Sequence, residues 1–117
     1  MKTTEAGQRA EALVGVELAK QGYRIVARNW RNRWCEIDLI AERTGRYYFV
    51  EVKYRRQTDF GSGFDYITAD KRRRLITAAQ VWIAQFAPQA QHQIDVAQVS
   101  GELGAPTIEY LPNAVQA

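Results

Sequence analysis

Asp38, Glu51 and Lys53 are the side chains whose types and spacing best support chemistry in this sequence. They lie in Trp34–Arg56, which reads as two strands joined by a tight turn. From Glu36 to Glu42, Ile37, Leu39 and Ala41 alternate with Glu36, Asp38 and Glu42, and Ile40 breaks the pattern, as in a strand buried on both sides. From Arg46 to Tyr54 the uncharged positions are aromatic or β-branched, which suits a central strand. Thr44-Gly45 supplies the turn, because Gly takes φ > 0 without penalty. If that turn closes on an Arg43/Arg46 pair, counting back sets Asp38 opposite Glu51 and Glu36 opposite Lys53. Opposed side chains on one face stand about 4.5–5.5 Å apart at Cβ, where like charges destabilise a sheet.

Three carboxylates and an ammonium in one patch need a reason, and a divalent cation supplies it. Mg²⁺ (or Mn²⁺) takes oxygen ligands, typically one or two carboxylates with water and phosphate. Such an ion polarises a phosphoryl oxygen and activates water, and a neighbouring Lys steadies the charge that develops on phosphorus.

Asp38, twelve intervening residues and then Glu51-Val52-Lys53 resembles the PD-(D/E)xK signature of restriction-endonuclease-like nucleases. The longer pattern, with "EIDLIA", "FVEVKYRR" and a helix opening at Lys71, resembles the YraN-type family, related by fold to archaeal Holliday junction resolvases. The similarity runs from Gly7 to Asn113–Val115. It implies that Asp38 and Glu51 hold the metal, that the Val52 backbone carbonyl completes its shell, and that Lys53 assists the attacking water. It also implies that Glu11 and Glu36 are outer or second-metal ligands and that the protein forms a homodimer, as related resolvases do. Glu11 has a second reading: by spacing alone it is a solvated helix residue. Cys35 stands where the family pattern has Gly, and reads as a small buried apolar residue.

Charge distribution points to the partner. Net charge is +3, yet all 16 Lys and Arg fall in residues 1–74, leaving that part at +6 and residues 75–117 at −3. A basic half beside an acidic cluster suits a polyanion at a metal site, and ordinary solvated charge is the plainer alternative. A single Cys excludes an internal disulfide and a Cys-based zinc site. No apolar run approaches the roughly 18 residues of a membrane span, and the N-terminus lacks a signal-peptide core, so a cytoplasmic location is expected.

The flanking elements must position these groups. Thr3 or Thr4 caps a helix carrying Ala6, Ala10, Leu13 and Val14 at helical spacing, and Gly22 ends it. Tyr23–Asn29 alternates as a first strand, followed by the loop Asn29–Trp34. In that loop Trp30, Arg31, Arg33 and Trp34 either stack on bases and neutralise phosphates, or cap the sheet while the arginines face water. Arg55 and Arg56 follow Lys53 as further phosphate candidates, ahead of an irregular stretch from Gln57 to Thr68. Thr68 caps a second helix whose stripe is Leu75, Ile76, Ala79, Trp82, Ile83 and Phe86. Lys71 and Arg72 extend the stripe into the first turn, with Arg73 and Arg74 pointing elsewhere. A basic first turn opposes the macrodipole, which favours phosphate contact at Lys71 and Arg72 over mere solubility. Pro88 stops this helix, Gln93–Val99 and Thr107–Leu111 are strands, and Pro112–Ala117 is a tail. Asp95, on the strand face opposite Ile94 and Val96, reads as an edge-strand or loop-capping residue.

The expectation is one α/β domain over residues 1–117, with a restriction-endonuclease-like mixed sheet flanked by helices. Its expected activity is Mg²⁺-dependent phosphodiester hydrolysis in structured or branched DNA. The alternative is a non-catalytic nucleic-acid-binding or partner-binding protein that keeps the fold, because function lives in the site.

Overall fold

The computed structural model describes residues 4–56 and 67–116. Along the chain run α1 (Glu5–Lys20), β1 (Arg24–Arg31), β2 (Glu36–Arg43), β3 (Arg46–Arg55), α2 (Ala69–Phe86), β4 (His92–Ser100) and β5 (Thr107–Val115). The strands form one sheet in the order β1-β2-β3-β4-β5. Neighbours are antiparallel except β3 and β4, which run parallel because α2 carries the chain back between them. This is the expected α/β architecture, a mixed sheet with flanking helices. The expected irregular segment lies, from 57 to 66, outside the described residues.

Each helix covers one face. Ala10, Val14 and Leu18 recur every fourth residue on α1 and pack with Leu39, Ala41, Tyr48, Val50, Ala97 and Val99. Leu75, Ala78, Ala79, Trp82 and Ile83 of α2 pack on the other face with Ile40, Phe49, Ile94 and Val96. Strands covered on both faces are apolar throughout, and Leu39, Ile40 and Ala41 are all fully buried. Phe86 departs from the expected stripe: it sits at the helix end, 54% exposed, against the Trp82 ring.

The element ends follow local chemistry. Thr4 and Thr68 cap their helices, accepting from the Gly7 and Lys71 N–H groups at 3.0 Å each. Gly22, at φ 92, turns the chain out of α1. Thr44 and Gly45, both at positive φ, make the tight turn of the β2–β3 hairpin, which closes on Arg43/Arg46 as the sequence requires.

Two strands outrun their expected ends. β1 continues through Trp30 and Arg31, which pair with Ile37 and Glu36, so the connecting loop shrinks to residues 32–35. β5 continues past Pro112 to Val115 by way of a bulge, since Ile94 pairs with Val115 while Val96 pairs with Leu111. Asp95, 1% exposed on an interior strand, fills that bulge. Its carboxylate accepts from Gln93 Nε2 at 2.9 Å, from the Asn113 N–H at 2.7 Å and from the Tyr110 hydroxyl. Burial, reinforced by Asp95, pushes the Tyr110 phenol far above its ordinary range.

Candidate functional site

The hairpin ladder holds the expected register for five pairs, from Arg43/Arg46 to Leu39/Val50, and stops there. In an antiparallel ladder every second pair exchanges two bonds, so a further rung would take the Val52 N–H to the Ile37 carbonyl. Instead the Val52 N–H donates to Asp38 Oδ2 at 2.8 Å. A side chain thus takes the place of a rung, and the ladder ends before the expected Asp38/Glu51 pair. The ladder also ends before the expected pairing of Glu36 with Lys53. On the other edge of β2, Glu36 pairs with Arg31 of β1, whose Nη2 is 3.6 Å from Glu36 Oε1.

Where the ladder stops, residues from both helices meet. A cleft of 410 Å³ is lined by Glu11 and Gly7 of α1, Glu36 and Asp38 of β2, Glu51–Tyr54 of β3, and Lys71 and Arg74 of α2. Glu51 is 4% exposed. Its Oε2 faces two ammonium groups, Lys53 Nζ at 3.7 Å and Lys71 Nζ at 3.6 Å, while its Oε1 is buried without a hydrogen-bond partner. An unsatisfied buried acceptor costs about 1–3 kcal/mol, more when charged.

The remaining acids crowd the same place. Asp38 is pushed up to about 8, chiefly by burial and then by the charge of Glu51, against the opposing pull of its bond from Val52. Burial also raises Glu11, with Glu36 and Glu51 adding to the rise. In the orientation that satisfies its neighbours, the Asn29 amide donates to Glu36 Oε2 and to Glu11 Oε1, at 3.0 Å each.

These groups suit a hard cation in a particular way. Among the described residues no three carboxylates, imidazoles or thiolates converge as a metal cage by themselves. Mg²⁺ does not need one: it binds through one or two carboxylates and keeps water or phosphate for the rest. The free Oε1 of Glu51 and the carboxylate of Asp38 match that requirement, and a bound cation would relieve both the orphaned acceptor and the raised Asp38.

Of the residues expected to bind nucleic acid, Lys71 lies inside the cleft against Glu51. Arg31 pairs with Glu36. The Arg33 guanidinium lies 5.5 Å from the Trp34 ring, which is 37% exposed, whereas Trp30 packs against the α2-side core. Trp30 thus covers the sheet, as one reading of that loop expects, and Trp34 does not. Arg55 and Arg72 are half-buried, at the end of β3 and in the first turn of α2. Arg56 pairs with Glu102 at 4.0 Å.

Arg74, expected to point elsewhere, lines the cleft while its Nε holds Asp70 at 3.0 Å. Its position three residues after Lys71, on the same helix face, is the signal that would have found it. Asn29 carried a fainter signal, an amide residue in a segment otherwise suited to a strand. Cys35, with Sγ 3.5 Å from the Arg74 carbonyl oxygen, is half-buried and its thiol is raised by burial, so it is no activated nucleophile.

Comparison with known proteins identifies the family and the fold. The model of the uncharacterised protein family UPF0102 matches residues 10–99. A UPF0102 protein from Nitrosococcus oceani is 38% identical over 112 residues, covering 94% of this chain and 90% of its own. One from Chlorobium chlorochromatii is 36% identical, covering 96% and 92%. Among solved structures, Archaeoglobus fulgidus Hjc, a Holliday junction resolvase, is similar with a TM-score of 0.63 at 24% identity, covering 92% of this chain and 73% of its own. At that identity the likeness shows the fold, which is a resolvase-like nuclease fold.

Proposed function

We propose that this chain, which belongs to the uncharacterised protein family UPF0102, is a divalent-cation-dependent endonuclease acting on structured or branched DNA. The observation that carries the reading is the interrupted rung: Asp38 replaces a ladder bond, and Glu51 is buried beside it with one oxygen unpartnered. A protein that only bound nucleic acid would gain nothing from burying a half-satisfied carboxylate next to a second acid.

Asp38 and Glu51 would hold the cation, with the Val52 carbonyl as a further oxygen donor beside them. When bound, Mg²⁺ or Mn²⁺ would polarise the scissile phosphoryl group and lower the pKa of water. The protein supplies the rest. Lys53, tethered 3.7 Å from Glu51, sits where an ammonium can orient water and offset charge on phosphorus. Lys71 and Arg74, on the first turns of α2, offer cations to the phosphates on either side of the scissile bond, with the positive end of the helix dipole behind them. Glu11 and Glu36 serve as outer ligands. A structured DNA substrate is supported by the fold shared with a Holliday junction resolvase, and action as a homodimer is part of the same proposal.

The test is incubation of the protein with a four-way junction, a flap and a linear duplex, each with Mg²⁺, Mn²⁺ or EDTA. Metal-dependent nicking of the branched substrates, absent with Glu51→Gln, is expected. Retention of tight junction binding with no cleavage in either metal would favour the non-catalytic alternative.

A further inference from the structure

We infer that Asn29 is a positioning residue of the cleft: its side-chain amide ties Glu11 of α1 to Glu36 of β2, so that both carboxylates stand beside Asp38 when a divalent cation is held there. The inference rests on the reading of the cleft as a metal site and adds a residue to it.

Asn29 lies between Arg28, which pairs with Leu39, and Trp30, which pairs with Ile37, so the register sets it across from Asp38. Inside a strand its backbone adopts φ 51, a left-handed conformation that costs most residues about 1–2 kcal/mol and that Asn tolerates best after Gly. From there its amide reaches Glu36 Oε2 and Glu11 Oε1 at 3.0 Å each. A primary amide has two N–H donors, one for each carboxylate. It is also neutral. An ammonium in that place would cancel the charge a cation needs, as Lys53 and Lys71 partly do at Glu51, whereas Asn29 holds two acids together and leaves their charge available.

Glu11 explains why such a tie is needed. It belongs to the helix on the α1 face of the sheet and is 6% exposed, yet it lines the cleft with Glu36 and Asp38. Acids gathered so closely tend to part, and the Asn29 amide, 3.0 Å from each, is what keeps Glu11 beside Glu36. Partners that orient metal ligands in this way typically change affinity 10–100-fold when removed.

The test separates the amide from the backbone conformation. Asn29→Gly keeps access to φ > 0 and removes the bridge. Asn29→Ser, whose one hydroxyl cannot span two carboxylates, serves if the glycine variant loses the fold. Mn²⁺ affinity is measured by calorimetry, with Tm recorded to confirm folding. Both variants should bind Mn²⁺ 10–100-fold more weakly than wild type, and the loss should shrink below about threefold in a Glu11→Gln/Glu36→Gln background, as a double-mutant cycle requires of a residue acting through those two. A folded Asn29→Gly protein with wild-type Mn²⁺ affinity, or a loss undiminished in that background, overturns the assignment and leaves the metal reading standing. A wild type with no Mn²⁺ affinity overturns both.

Discussion

Asp38 carries two duties that conflict. It accepts the Val52 N–H, which suits a carboxylate, and it is buried beside Glu51, which does not. The raised value of about 8 records the balance and fixes a sign. A carboxyl raised above its unfolded value of 3.8 contributes stability that is full below that value and is lost as pH rises through about 8. The metal-free protein should therefore become less stable between pH 4 and pH 8 on this account. Asp38→Asn mimics the neutral form and keeps an acceptor for Val52, so it should remove that loss. At about 5 Å the Asp38–Glu51 repulsion is worth about 1–3 kcal/mol, for an effective dielectric between 80 and 20. Urea unfolding in EDTA should show the variant more stable than wild type at pH 8.5, by at least the lower part of that range, and nearly equal at pH 4. Mg²⁺ should reverse the order, because a ligand stabilises the protein that binds it. A variant destabilised in EDTA at both pH values would make Asp38 a structural acceptor alone.

At the scale of the elements, the hairpin was legible because turn chemistry and alternation agree: Thr44-Gly45 dictates the closing pair, and the count from it holds for five pairs. The break beyond Leu39/Val50 was not legible, because a side-chain carboxylate replacing a backbone rung leaves no mark on the periodicity. That Asp38 and Glu51 come together could be read, but not the Asn29 bridge or the place of Arg74, which depend on a reversed dihedral and a helix rotation. β5 shows a related limit. Pro112 signals the end of a strand, and only the buried Asp95 on the neighbouring strand lets pairing resume beyond it. Asp95→Ala would leave a phenol, an amide and a backbone N–H without their acceptor. Each hydrogen bond to a charged group contributes about 1.5–3 kcal/mol, so the variant should lose at least 3 kcal/mol in urea unfolding. A loss below about 1 kcal/mol would mean that the bulge holds itself. Tyr110→Phe, which removes one donor and keeps the ring, should cost less than Asp95→Ala.

Across the whole molecule, the fold gathers what the sequence lists separately. The cleft opens at the end of the sheet, between the first turns of α1 and α2, with Gly7 on one wall and Lys71 and Arg74 on the other. The sequence places every Lys and Arg before residue 75, but a count along the chain could not tell which cations face the acids and which pair elsewhere. Lys71 faces Glu51, whereas Arg56 faces Glu102. Neutralising Lys71 and Arg74 together should weaken junction-DNA binding on every sequence tested and flatten the salt dependence by up to about two units, roughly one for each lost phosphate contact. Fluorescence anisotropy between 50 and 200 mM salt, about the range in which such contacts tell most, reads this directly. An unchanged slope would mean that the start of α2 does not touch phosphate. Among the described residues no helix is long and apolar enough to cross a membrane.

The central claim is that Asp38 and Glu51 form a cation site where the ladder is interrupted. Calorimetric titration of Mn²⁺ into wild type and Glu51→Gln, run at pH 7 in two buffers of different ionisation enthalpy, tests it most directly. The wild type should bind Mn²⁺ and release protons as it does so, since Asp38, pushed up to about 8, must give up its proton to take part, and Glu51→Gln should lose most of the affinity. Equal affinities in the two proteins would contradict the account.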